Sequence, residues 1–174
     1  DIWMRILKSV DNSVLWLLVD NMETIKNLKE ETIRRGVKPE RIIFANRLPL
    51  AEHLSRQKLA NLFLDTFPCT GHTTSSDALR SGLPVLTLMG GSFAGRVSSS
   101  LLTAVDLKEL ITKTPKEYEE LAIRLANDTF RLENIRKKLE ANIKKKPLFD
   151  CKLFTSQIEK AYLEIYRKHF EINK

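Results

Sequence analysis

Asn61-Leu62-Phe63-Leu64-Asp65-Thr66-Phe67-Pro68-Cys69-Thr70-Gly71-His72-Thr73-Thr74-Ser75-Ser76-Asp77-Ala78-Leu79-Arg80-Ser81-Gly82 runs from an apolar stretch through a hydroxyl-rich turn into a helix-forming one. Leu62 to Asp65 reads as a short strand, and Asp77 to Ser81 reads as a helix stopped near Gly82 and Pro84. The turn therefore points at a helix start. The first N–H groups of a helix lack partners within it, and the aligned peptide dipoles place partial positive charge there, so an anion is held with few cationic side chains. Gly71 allows close approach of backbone and ligand, the Thr73 and Thr74 hydroxyls add donors, and His72 can donate to an incoming phosphate or hydroxyl. A plainer reading stands beside this one: an ordinary helix with Thr73 or Thr74 as N-cap and Asp77 as capping-box partner. Neither G-x-G-x-x-G nor G-x-x-x-x-G-K-[ST] is present.

Outward from this turn, strand and helix signals alternate. A helical stripe at Ile2, Trp3, Ile6, Leu7 and Val10 precedes the continuous apolar run Ser13 to Val19, which suits a strand buried on both faces. A charged helix from Met22 to Arg35 closes at Gly36, and Arg41 to Ala45 is the next strand. Pro49 opens a helix that carries His53, Leu54, Lys58 and Leu59. After the turn, Pro84 to Leu88 is another buried strand, and Gly90-Gly91 leads to a helix from Ala94 to Leu102. This order argues an α/β fold, a Rossmann-like parallel sheet flanked by helices with right-handed crossovers. Ligands of such folds sit at the carboxyl ends of the strands, where the Thr70–Thr74 and Gly90-Gly91 loops both lie. From Thr114-Pro115-Lys116-Glu117, a capping arrangement, the remainder reads as helices. The terminal stripe Phe154, Ile158, Tyr162 and Ile165 must pack on something.

With 174 residues, 43% apolar and 29% charged, the chain has material for one globular core. No segment is long enough to span a membrane, and no basic-then-apolar signal opens the chain. The sequence starts inside an apparent helix, as a piece of a longer protein would. Cys69 and Cys151 have no metal-ligand spacing; free thiols are expected, with a single disulfide as the alternative. The net charge of +7 includes two clustered basic runs in the last third, Arg136-Lys137-Lys138 and Lys144-Lys145-Lys146. Few aromatics are interleaved there, so a solvated helix face is expected rather than a nucleic-acid site.

The residues resemble glycosyltransferase family 41, the O-linked N-acetylglucosamine transferases. The resemblance rests on Asn12 to Leu18, Arg41 to Phe44, Glu52-His53, Leu64-Asp65-Thr66, Gly71-His72-Thr73-Thr74 with Asp77, Gly82 to Val85, and Arg96-Val97. It implies the carboxyl-terminal lobe of a two-lobed GT-B enzyme: a UDP-sugar-binding lobe over residues 1–113, its first strand upstream, and carboxyl-terminal helices over 114–174 that pack on this lobe or on the amino-terminal one. His72, Thr73 and Thr74 would hold the diphosphate, Asp77 the ribose, and His53 would lie beside the uridine. Arg96 is a weaker candidate for the diphosphate. Where animal members carry a uracil-stacking lysine, three residues before the helix histidine, this chain has Leu50. The implied activity is inverting, metal-independent transfer of N-acetylglucosamine from UDP-GlcNAc to Ser or Thr of cytoplasmic proteins, with no cofactor. The implied partners are the UDP-sugar, the acceptor protein, an amino-terminal catalytic lobe and tetratricopeptide repeats. No catalytic base falls within these residues. A UDP-sugar epimerase, another two-lobed transferase, or a non-catalytic sugar-nucleotide module are the alternatives.

Overall fold

A computed structural model describes residues 1–172 of the chain. The amino-terminal stripe forms α1 (Ile2–Ser9), followed by β1 (Leu15–Leu18), α2 (Met22–Arg34) and β2 (Ile42–Ala45). Asn21 caps α2 by accepting from Glu23 N and Thr24 N, and Gly36 leaves the helix at φ +69°, where a side chain would be strained. Next come α3 (Leu50–Gln57), β3 (Phe63–Leu64), α4 (Thr73–Arg80), β4 (Val85–Leu88), α5 (Val97–Ala104) and β5 (Ile111–Thr112). Three helices finish the described chain: α6 (Pro115–Asn127), α7 (Thr129–Lys145) and α8 (Cys151–Ile172). Thr114 Oγ1 accepts from Glu117 N at 3.1 Å, while the Glu117 carboxylate accepts from Lys113 N at 2.8 Å, so the α6 start is closed from both sides.

All strand pairings are parallel. β1 pairs with β2, Leu15 opposite Ile42, in one sheet; β3, β4 and β5 form the other in that order, with Phe63 opposite Val85 and Thr87 opposite Ile111. One helix ties the two sheets together. Ile6 and Val10 of α1 pack with Leu86 and Leu88 of β4 and with Tyr118 and Ala122 of α6, whereas Leu7 packs with Val37 and Ile42. The main core lies on β4, buried at every position, where Leu79, Leu102, Leu125 and Leu139 converge from four helices with no exposed surface. Each such leucine contributes roughly 1.5–3 kcal/mol of burial.

Two points of the sequence reading are corrected. β1 is not buried on both faces: Val14 and Leu18 are 58% and 49% exposed, because no element covers that side of the two-stranded sheet among the described residues. The strand β5 has no counterpart in the sequence reading, since a two-residue strand offers no periodicity and forms only by completing the edge of β4. Of the two packings open to the terminal helices, α6 and α7 take the one on this lobe, for Tyr118, Leu125, Ile135 and Leu139 belong to the cores built on β4. By contrast α8 is exposed along residues 151–170.

Candidate functional site

The hydroxyl-rich turn sits at the carboxyl ends of β3 and β4, against the second loop, residues 89–96. His72 occupies the N-cap position of α4 and makes no side-chain cap bond; neither does either threonine. The plainer reading of the turn, with Thr73 or Thr74 as cap, is therefore not realised: Thr73 is already the first helical residue. The first amide to find a helical acceptor is Ser76 N, on His72 O at 3.0 Å, so the Thr73, Thr74 and Ser75 amides have no acceptor among the described residues. His72, Thr73 and Thr74 are exposed, and Asp77, one turn further, is half-buried with its carboxylate free of any described partner. Free amides, a helix dipole and two hydroxyls make a surface that favours an anion.

Behind that surface the turn is held from inside. The carboxylate of Asp65, 1% exposed, accepts from Gly71 N at 2.7 Å and Thr66 N at 3.0 Å through Oδ1, and from Thr87 Oγ1 at 2.6 Å through Oδ2. Buried Tyr118 donates its hydroxyl to Asp65 O at 2.9 Å; burial pushes that hydroxyl well above its ordinary range, which keeps it a donor. Ser98 Oγ lies 2.8 Å from both Gly71 O and Ser75 Oγ, and Thr70 Oγ1 donates to Ala94 O at 2.6 Å. These bonds knit the first loop to the start of α5. Gly71 is required by this packing, since a Cβ would meet Ser75 Oγ, Thr74 Oγ1 at 2.7 Å and Asp65 Oδ1 at 3.2 Å. Its bare face thus turns inward rather than toward a ligand. Gly95 has the same tightness, with Pro68 O 3.0 Å from where its Cβ would be.

His53 lies on α3, which packs beside α4, and its ring is occupied. Arg56 Nε donates to Nδ1 at 3.2 Å, and the Gln57 amide stands 2.9 Å from Nε2. A guanidinium has donors only, so Nδ1 accepts from Arg56. Arg56 also donates to Asn46 O at 2.6 Å and lies 5.8 Å from the Trp16 ring, a brace that runs from α3 back to β1. Leu50, 63% exposed, is three residues earlier on the same helix. Arg96 caps α5 without a described side-chain partner. His72, Thr73, Thr74 and Asp77 thus share one helix start, with His53 on the neighbouring helix.

The family model described as glycosyl transferase family 41 matches residues 1–158. This chain belongs to glycosyl transferase family 41. A Caenorhabditis elegans UDP-N-acetylglucosamine–peptide N-acetylglucosaminyltransferase is 36% identical over 169 residues, which is 97% of this chain and 15% of that protein. An Arabidopsis thaliana protein named "Probable UDP-N-acetylglucosamine--peptide N-acetylglucosaminyltransferase SEC" is 37% identical over 96% of this chain and 17% of its own length. Among solved structures, a mutant O-GlcNAc transferase of Thermobaculum terrenum superposes with a TM-score of 0.89 at 33% identity, over 96% of this chain and 33% of that one. This family 41 chain spans about a sixth of the length of the curated relatives named above. The α/β architecture is that of the family's GT-B enzymes.

The remaining features sort against the family's frame. Both cysteines are free and exposed, and Cys69 Sγ approaches only Thr70 O, at 3.8 Å. The basic runs of α7 are largely engaged: Arg136 donates to Ala60 O at 2.8 Å, Lys138 pairs with Glu109 at 2.8 Å and Lys146 with Asp106 at 3.7 Å. No described helix is long and apolar enough to cross a membrane. Sequence reading missed Thr87 and Ser98 as parts of the loop's support. The available signal was a lone acidic residue, Asp65, ending an apolar strand immediately before a glycine-containing turn.

Proposed function

We propose that this chain is the nucleotide-sugar-binding lobe of an inverting, metal-independent transferase that moves N-acetylglucosamine from UDP-GlcNAc to Ser or Thr hydroxyls of intracellular proteins. The observation that carries the reading is the uncapped start of α4, with three free amides and the Thr73 and Thr74 hydroxyls at the carboxyl ends of parallel strands. Breaking the sugar–phosphate bond builds negative charge on the leaving UDP oxygens. Donors fixed by the fold stabilise that charge more in the transition state than in the ground state and need no reorganisation as it develops. His72, Thr73 and Thr74 hold the diphosphate in this reading. Asp77 accepts from the ribose hydroxyls, and His53 flanks the uracil, with Leu50 beside it in an apolar contact.

The general base and the acceptor site belong to a second lobe, and tetratricopeptide repeats hold the acceptor protein, so transfer needs the full-length enzyme. The curated relatives' names as UDP-N-acetylglucosamine–peptide transferases support the choice of donor and acceptor. Replacing Thr73 and Thr74 by Val in the full-length enzyme lowers transfer at least about tenfold through lost charge-directed donors. Wild-type rates in that variant would remove the diphosphate assignment.

A further inference from the structure

We propose that Asp65 is a positioning residue for the anion site: its buried carboxylate sets the Gly71 peptide so that the α4 amides face the ligand. The inference rests on the diphosphate reading of that helix start. Asp65 directly follows β3, Gly71 lies six positions later, and the intervening turn is closed by the 2.7 Å bond from Gly71 N to Oδ1. The other end of the same residue is held too, because Ser98 Oγ lies 2.8 Å from Gly71 O. With its N–H and C=O both fixed, Gly71 hands the chain to His72 in one orientation, and the next three amides start α4 uncapped.

A carboxylate is the group this position needs. Three donors converge on its two oxygens, and the bonds from Gly71 N and Thr87 Oγ1, at 2.7 and 2.6 Å, have the short lengths expected of a charged acceptor. No cation pairs with it among the described residues, so these donors alone offset its burial. Alanine would leave the Gly71 and Thr66 amides and the Thr87 hydroxyl without their acceptor inside the turn. The turn would then be free to rotate its peptides, and a ligand would have to order donors that are now ordered in advance.

The test compares the 174-residue chain with D65A, D65N and T87V, using UDP titration, thermal melting and amide NMR. In the wild type the Gly71 amide proton resonates far downfield and exchanges slowly despite lying in a loop. D65A shifts the Thr73 and Thr74 amides and weakens UDP binding about tenfold or more, in line with losing bonds to a charged group. D65N keeps one acceptor oxygen for Gly71 and stays within about threefold of wild type, as a neutral bond in place of a charged one allows. T87V removes only the Oδ2 donor, lowering the melting temperature while costing less affinity than D65A, because the Gly71 bond to Oδ1 is kept. A fast-exchanging wild-type Gly71 amide overturns the assignment whether or not D65A folds. So does wild-type affinity in folded D65A, or affinity that falls in step with stability in both D65N and T87V. A wild-type chain that ignores UDP while its Gly71 amide is protected and D65A shifts the Thr73 and Thr74 amides contradicts the diphosphate reading instead.

Discussion

Gly71 shows how one residue couples packing to binding. Its missing Cβ faces Asp65, Thr74 and Ser75, so G71A must push the turn away from its own support. The expected cost is about 1–3 kcal/mol of stability from overpacking, with weakened UDP binding, read by urea denaturation and titration. Unchanged stability would show that the turn has room the structure does not give it. A second residue-scale device is distant from the site. Arg5 Nε and Nη2 donate to the Glu119 carboxylate at 2.8 and 2.6 Å, joining α1 to α6, and this bonding holds the Glu119 carboxyl below its ordinary range. A folded pKa below the unfolded one gives stability that is present above about pH 4.3 and lost as acid passes through the folded value. Melting temperature therefore falls more steeply below that pH in the wild type than in E119Q. Parallel acid profiles would mean that the pair contributes nothing.

At the scale of elements, legibility in the sequence followed the strength of local signals. The helices α2 and α6 carry their caps in Asn21 and Thr114, and β4 is apolar but for Thr87, so the bounds of α2 and β4 and the start of α6 were readable within a residue or two. The strand β5 was not, because pairing with β4 creates it. The start of α4 misled in an instructive way: two threonines and a later aspartate have the composition of a capped helix, yet the hydroxyls point to no amide. Side-chain direction there is set by Asp65 and Ser98, which lie 6 and 27 positions from Gly71 and leave no local pattern. Packing separates the terminal helices sharply. Leu125 of α6 has no exposed surface, and L125A should cost about 2–5 kcal/mol by cavity formation. Phe154, Tyr162, Ile165 and Tyr166 of α8 are 62–66% exposed. Removing residues 151–174 should therefore leave the melting temperature nearly unchanged while L125A lowers it. A large loss on truncation would show that α8 is held against the lobe.

For the whole molecule, the parallel α/β frame was legible because alternation of elements constrains topology, and that topology brings the hydroxyl-rich turn to the strand ends, where such folds take ligands. Residue roles were legible only as a resemblance, and His53 shows the difference. Its place on a helix was readable, but its engagement by Arg56 and Gln57 follows from the fold. The two sheets, tied by α1 and closed over by α6, position one helix start, that of α4. The most direct measurement is calorimetric titration of the chain with UDP, repeated with Thr73 and Thr74 changed to Val. Saturable binding by the wild type is expected, lost in the double variant while the fold is kept. Binding that survives the double substitution, or no binding by a folded wild-type chain, would contradict the placement of the nucleotide at α4.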